Sequence, residues 1–377
     1  MKFLHAADLH LGKRLGEFSL LEDQKYALDE VLKIAEREKA DAVLLAGDIY
    51  QKASPQAEAM QLFNDFVTRL SEKGIPVFAI SGNHDSERRI AYFSDLIRKS
   101  GVYVSEVFSG TVQKVTLEDA SGPVHIYLLP FIRPSAVRRF YPEERIETYE
   151  DAVRTVISHA GINTDERNIL LCHQLVTGAE MCESEEIAVG GLDNISPSVF
   201  DAFDYVALGH IHKPQRAGRE GMRYSGSLLK YSISEKDHKK GVTIVSLPCK
   251  GKLEIRHENI LPMHDVREVR GMLSELMLLP YTEDYVRCVV TDELPPPDAR
   301  VTLLTVFPNM LKFAVENSKT KLDLDVSQKE DILNKSVEEL FSDFYRLQNN
   351  DRLPDEKQLQ LIREILRDME EEKHEAR

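Results

Sequence analysis

At 377 residues the chain is too long for one ordinary core and suits two or three domains. Its 42% hydrophobic and 29% charged residues are those of a globular protein in water, and no apolar run approaches the roughly 20 residues of a membrane span. A net charge of −15 excludes a protein that coats nucleic acid indiscriminately, so any grip on phosphates must use local clusters of lysine and arginine.

Met1 to His10 lacks the basic head and long apolar middle of a signal peptide, which predicts a cytoplasmic protein with no membrane contact. Short apolar runs at Lys2 to Ala6, Asp41 to Ala46, Pro76 to Ile80, His125 to Pro130, Asn168 to Cys172 and Tyr205 to Leu208 predict strands. Several are almost continuous, as strands buried on both faces are. Between the first two, Leu28, Val31, Leu32 and Ala35 recur at helical spacing. A second helix is predicted from Ser54, with Pro55 in its first turn, burying Phe63, Phe66, Val67 and Leu70 and stopping at Gly74. Strands alternating with helices predict an α/β layered fold. Cys172 and Cys288 lie in apolar runs and, with Cys182 and Cys249, form no CxxC pair, so reduced thiols are expected.

From Arg223 the pattern turns to paired strands at Gly241 to Leu247 and Lys252 to Asn259, closing a first domain over 1–260. Strand, helix, strand, helix, strand then follow at Asp265 to Arg270, Met272 to Leu278, Tyr285 to Thr291, Asp298 to Val306 and Leu311 to Val315, a small α/β domain over 261–322. Over 323–377 the β signal is gone. Ser336 and Glu339 predict a capping box for a helix bearing Val337, Leu340, Phe341 and Phe344. After Pro354 a last helix carries Leu359, Ile362, Leu366 and Met369 on one stripe, expected to meet a partner helix.

Five motifs fall just beyond predicted strand ends: Asp8-Leu9-His10, Gly47-Asp48, Gly82-Asn83-His84-Asp85, His173, and Gly209-His210-Ile211-His212. Loops at the carboxyl ends of sheet strands converge, so these acids, amides and imidazoles are expected in one place. Two hard divalent cations close together need a bridging carboxylate with neutral or anionic ligands around it. Asp48 is the natural bridge, with Asp8, His10 and His212 completing one shell and Asn83, His173 and His210 the other. Strand alternation would turn Asp8 and His10, and likewise His210 and His212, to the same side. Glycine before Asp48, Asn83 and His210 predicts tight turns and close backbone approach. Such a metal pair would bind a phosphate and lower the pKa of a shared water, and mixed nitrogen and oxygen ligands leave the metal itself open, accepting Fe or Zn as well as Mn2+. His84 is left as the general acid or transition-state stabiliser, with Asp85 beside it fixing its tautomer. Lone aspartates after strands are usually turn formers and lone histidines usually packed, as expected for His5, but five of the twelve histidines fall in these motifs. Lys13, Arg14, Arg88, Arg89, Lys213 and Arg216 flank them as candidates for gripping phosphates.

The set DLH, GD, GNHD, strand-end histidine and GHIH is similar to the calcineurin-like metallophosphoesterase superfamily, whose fold is a four-layered αββα sandwich. HAADLHLGK at His5 to Lys13, AGDIY at Ala46 to Tyr50, GNHDS at Gly82 to Ser86, ALGHIHKPQ at Ala207 to Gln215 and YSGS at Tyr224 to Ser227 look like the SbcD nuclease subunits and their eukaryotic relative, the meiotic-recombination-eleven nuclease. The resemblance continues through the small domain to SVEELF at Ser336 to Phe341. It implies the sandwich with a capping domain and a helical C-terminal partner-binding segment. It further implies Mn2+-dependent 3′ to 5′ exonuclease activity on double-stranded DNA and endonuclease activity on hairpins or single strands, in DNA repair and recombination. A homodimer within a heterotetramer and an SbcC-like coiled-coil ATPase partner belong to the same implication. The chain departs from the pattern after Gly47-Asp48: many relatives carry an acid or histidine there, and this chain has Gln51 and Lys52.

Two other readings compete. A small-molecule phosphodiesterase or phosphatase would use the same metal pair, but the additional domain and tail suit a macromolecular substrate. A non-catalytic scaffold would show eroded ligands, whereas all seven candidates and His84 have usable side chains.

Overall fold

Runs that are apolar throughout bury both faces of a strand, and Phe3, Leu4, His5 and Ala6 of the first strand are all inaccessible to solvent. The computed structural model describes residues 1–182, 185, 194–317, 337–348 and 353–363. They fall into two units, Met1–Arg267 and Glu268–Arg377.

The first unit carries β1 (Lys2–Ala6), the small hairpin β2 (Arg14–Leu15) and β3 (Phe18–Ser19), then β4 (Ala42–Ala46), β5 (Val77–Ile80) and β6 (Val102–Val104). It continues with β7 (Gln113–Asp119), β8 (Gly122–Leu129), β9 (Arg167–His173), β10 (Tyr205–Gly209), β11 (Gln215–Arg216), β12 (Met222–Tyr224), β13 (Gly241–Cys249) and β14 (Lys252–Asn259). Two six-stranded sheets result, in the orders β14-β13-β1-β4-β5-β6 and β11-β12-β10-β9-β8-β7. In the first, β1, β4, β5 and β6 are parallel, and β13 pairs antiparallel with β1, Leu4 opposite Ile244. In the second, β8, β9, β10 and β12 are parallel.

The sheets pack face to face. Phe3, Leu44, Phe78 and Val245 from one meet Ile126, Leu171, Tyr205 and Ala207 from the other in one buried cluster. Each of the Phe, Leu, Ile and Val side chains contributes about 1.5–3 kcal/mol by leaving water. Helix α1 (Leu21–Glu38) buries Ala27, Leu28, Val31, Leu32 and Ala35 and packs beside α2 (Ala57–Glu72), which lies on β5. The far face of the second sheet is covered by the helix Tyr149–Ser158, whose Ala152, Val153 and Val156 join Tyr127, Leu170 and Val206. That helix opens with a capping box, Thr148 Oγ1 accepting from Asp151 N at 3.1 Å and Asp151 from Thr148 N at 2.8 Å. The layers are therefore helix, sheet, sheet, helix, the αββα sandwich.

Two expectations change. The second helix starts at Ala57, not Ser54: Gln56 takes the extended cap conformation, and Ser54 and Pro55 precede it. Phe66 and Leu70 are buried, but Phe63 and Val67 are half-buried and line an apolar groove of about 390 Å3 with Tyr50, Met60, Tyr92 and Ile97.

The second unit holds the strand order β15 (Val266–Gly271), β16 (Tyr285–Val290) and β17 (Met310–Val315), with β15 starting just ahead of the boundary. Val286, Cys288, Val290, Leu303 and Phe307 form its core. Further on, the helix Val337–Gln348 and a helical run over 356–363 are joined by Arg363 to Glu338 at 2.5 Å and Gln358 to Tyr345 at 3.0 Å. The expected cap at Ser336, the linker, and Leu366 and Met369 lie outside the described residues. Among those residues no helix is long and apolar enough to cross a membrane. No disulfide forms among the described residues, and the thiols of Cys172 and Cys288 are buried.

Candidate metal centre

Three of the five motifs leave the first sheet and two the second. β1 leads into Asp8 and His10, β4 into Asp48 and β5 into Asn83 and His84, while β9 ends at His173 and β10 leads into His210 and His212. Strand alternation does not produce the paired spacings. β1 stops at Ala6, and Asp8 (φ 52°), His10 (φ 43°), Asp48 (φ 48°) and His210 (φ 101°) all have left-handed backbone. Each such residue costs about 1–3 kcal/mol, so outside contacts must hold the loops. Asp8 N donates to Gly47 O at 3.2 Å and His10 N to Asp48 O at 2.9 Å. Gln24 Nε2, from α1, donates to His10 O at 2.8 Å and Leu9 O at 3.1 Å, while its Oε1 accepts from Gly12 N at 2.9 Å. Tyr231 Oη donates to Leu9 O at 2.6 Å.

The glycines are required by proximity. A Cβ on Gly47 would lie 2.3 Å from His173 Nδ1, one on Gly82 2.1 Å from Asp48 Oδ1, and one on Gly209 1.9 Å from Ala46 O.

Asp48 stands between two clusters. On one side its Oδ2 is 3.5 Å from His10 Nε2, which is 3.1 Å from His212 Nε2. On the other it is 3.3 Å from His173 Nε2, which is 3.0 Å from Asn83 Oδ1, and His210 Nδ1 is 3.1 Å from that same amide oxygen. His173 Nδ1 donates to Ala46 O at 2.8 Å, so its Nε2 edge faces inward. Asp8 Oδ1 accepts from His210 N at 2.9 Å, whereas Asp8 Oδ2 and His10 Nδ1 are buried with no hydrogen-bond partner among the described residues. Each such orphan costs about 1–3 kcal/mol. Converging ring nitrogens and the orphaned carboxylate oxygen of Asp8 are the donor set a cation satisfies. The donor atoms of Asp8, His10 and His212, and those of Asp8, Asp48 and His173, lie within 4.8 Å of one another.

Charge is divided unevenly. Burial pushes the Asp8 carboxyl up to about 7 despite His173 and His212. It opposes ionisation of Asp48 too, but His173, His10 and His84 hold that carboxyl well below the usual range. Burial disfavours a charged His173, yet Asp48 and Asp8 outweigh it and raise the ring to about 9. His210 is driven down to about 3 by burial and then by His173, and burial pushes His10 well down as well.

His84 lies at the rim: its ring is edge-on to His10 with centroids 4.9 Å apart, its Nε2 is 4.0 Å from Asp48 Oδ2, and 17% of its side chain is exposed. It also shares a group of potential donors with His10 and Asp48. The expected pairing of Asp85 with the His84 ring is replaced by another role. Its carboxylate accepts from Gly82 N at 2.9 Å, Ile49 N at 3.0 Å and Tyr50 N at 2.9 Å, tying two loops together. Burial and then Asp48 push that carboxyl up to about 7 against the pull of these amides.

Lys13 and Arg14 line a cleft of about 250 Å3 with Gln51, Lys52 and Ser54, so the unusual Gln51 and Lys52 sit among cations. Arg88, Arg89 and Arg216 are exposed, whereas Lys213 pairs with Glu180. His5 is packed, its Nδ1 2.8 Å from Tyr205 Oη.

Sequence reasoning missed Gln24, Tyr231, Glu235 and Lys240. Gln24 left one signal, a polar residue in register with the buried Ala27, Leu28 and Val31 of α1. Glu235 and Lys240 sit in a charged run, Ser234 to Lys240, that reads as a solvated loop yet is buried at both ends of the pair.

Two sheets delivering acids, an amide and imidazoles around one carboxylate define a calcineurin-like phosphoesterase, and that family's model matches residues 1–214. The family model described as Type 5 capsule protein repressor C-terminal domain matches residues 262–349. Proteins named as the SbcD component of the nuclease SbcCD align with the chain at 32% identity over 319 residues in Staphylococcus saprophyticus and at 30% over 324 residues in Staphylococcus epidermidis, each covering 82% of this chain and 84% of the relative. The chain belongs to the SbcD family. Among solved structures, a dimetal phosphatase from Danio rerio is similar with a TM-score of 0.40 at 14% identity, covering 70% of this chain and 98% of that one. TT1561 of Thermus thermophilus gives 0.37 at 15%, covering 68% and 98%.

Proposed function

We propose that this chain is the metal-dependent DNA nuclease subunit of a complex with an SbcC-like coiled-coil ATPase, degrading double-stranded DNA from 3′ ends and cutting hairpins or single strands during repair and recombination in the cytoplasm. The observation that carries this is the seat of Asp48, 3.5 Å from His10 Nε2 on one side and 3.3 Å from His173 Nε2 on the other. Asp8, His10, Asp48 and His212 hold one divalent ion, and Asp48, Asn83, His173 and His210 the second. Likeness to the SbcD nucleases favours Mn2+, and the mix of nitrogen and oxygen donors accepts Fe or Zn as well. When bound, the pair supplies Lewis acidity to the phosphate oxygens and to the attacking water. His84, at the open rim, protonates or stabilises the departing oxygen, and Asp85 keeps its loop locked to that of Asp48. Lys13, Arg14, Arg88, Arg89, Lys213 and Arg216 grip flanking phosphates.

Assembly follows from two surfaces. The tail helices leave Phe344 and Leu361 exposed, and Leu353 ahead of the second helix is exposed as well, for the ATPase partner. Met60, Tyr92, Phe93 and Leu96, exposed beside the apolar groove, join two copies into a homodimer.

With Mn2+ and the ATPase partner, the wild-type chain is expected to shorten duplex DNA from its 3′ end. His84→Gln should lower kcat by about 10²–10⁴-fold while calorimetry still shows two manganese ions bound. Asp48→Asn should lose manganese binding and activity together. Hydrolysis of a small phosphodiester with none of DNA would replace this reading by a small-molecule phosphodiesterase.

A further inference from the structure

We propose that Glu235 and Lys240 form a buried positioning pair that holds His212 in the ring tautomer and orientation able to bind a metal. The proposal rests on His212 being a ligand, as argued above. Glu235 has no exposed surface and Lys240 is 5% exposed, so neither charge is kept for contact with water. Glu235 ends the short turn of helix Ile233–Glu235, and its Oε1 lies 3.4 Å from His212 Nδ1. Its second oxygen pairs with Lys240 Nζ. Lys240 Nζ also donates to His212 O at 2.7 Å and to Ser227 Oγ at 2.8 Å. One ion pair therefore grips both the ring and the main chain of His212.

The chemistry is directional. A carboxylate only accepts, so it fixes the proton on His212 Nδ1 and leaves the Nε2 lone pair facing His10 Nε2, 3.1 Å away. A carboxylate behind a ligating imidazole raises the basicity of the far nitrogen, and removing it typically costs 10–100-fold in metal affinity. Lys240 cancels the added negative charge, so the site gains a stronger donor without gaining net charge. Fold stability alone is a poor reason for this pair, because buried ion pairs are often no better than apolar residues of the same volume.

The test measures manganese binding by calorimetry and by electron paramagnetic resonance on the full chain. Glu235→Ala is expected to weaken one of two manganese sites about 10–100-fold, with Glu235→Gln, which can still accept from Nδ1, recovering part of the loss. The double variant Glu235→Leu, Lys240→Met leaves no unpaired charge. It should melt, metal-free, near the wild type and still bind manganese weakly at that site. Wild-type affinity at both sites in a folded Glu235→Ala or double variant, alongside weakened binding in His212→Ala, would overturn the positioning pair alone. Unchanged binding in His212→Ala would overturn the ligand assignment and the pair together.

Discussion

Asp8, His10, Asp48 and His210 take backbone angles that few residues with a side chain adopt, and their neighbours make this tolerable. Gln24 and Tyr231 satisfy the carbonyls of Leu9 and His10, and Asp85 satisfies three amides of the adjoining loops. A second buried charge lies far from the centre. Arg167 is 2% exposed and bonds Asp119, which also receives the amino terminus of Met1 at 3.0 Å. The guanidinium of Arg167, and then the amino terminus, hold the Asp119 carboxyl well below the usual range. A depressed carboxyl stabilises the fold above its ordinary pKa of about 3.9, and that contribution is lost as pH falls through the lower folded value. Urea unfolding from about pH 5 to about pH 2 should therefore show stability declining more steeply in the wild type than in Asp119→Asn. At neutral pH, Asp119→Ala should cost about 1–3 kcal/mol, because the buried guanidinium loses its anion. The side chains that converge on Asp48 were legible residue by residue, since acid, amide and imidazole are spelled in short motifs. Gln24, Glu235 and Lys240 were not, because what they hold lies far away in the chain.

At the scale of elements, the strands that carry the site were legible because both their faces are buried, so their apolar runs are unbroken from Ala42 to Ala46 and nearly so elsewhere. β6 is apolar but only three residues long, and the half-exposed β7 alternates with polar residues, so neither was among the expected strands. The loops were placed correctly, but alternation was the wrong reason: left-handed backbone turns the side chains inward, a conformation that a sequence of Asp-Leu-His does not announce. The glycines gave the better clue. In Gly209→Ala the new methyl would lie 1.9 Å from Ala46 O and 2.7 Å from His173 Nδ1. The strand end must shift, so the variant should lose about 1–3 kcal/mol in thermal or urea unfolding, and its manganese affinity should fall as well.

For the whole molecule, the division near residue 267 matters more than any single contact, since each unit has a core of its own. The apolar face around Leu96 belongs to the first unit and is expected to bury itself in self-association. If the proposed homodimer forms through this face, Leu96→Asp should shift sedimentation from dimer to monomer at micromolar concentration while metal binding is unchanged. A dimer that persists unchanged would move the interface elsewhere.

The pairing of β1 with β13 also sets an order of events during synthesis. Leu4 waits for Ile244, so at roughly 5–20 residues per second the first strand leaves the ribosome on the order of ten seconds or more before its antiparallel neighbour exists. Through that interval its hydrogen-bonding edge lies open, a template for stray strands and a natural target for a chaperone.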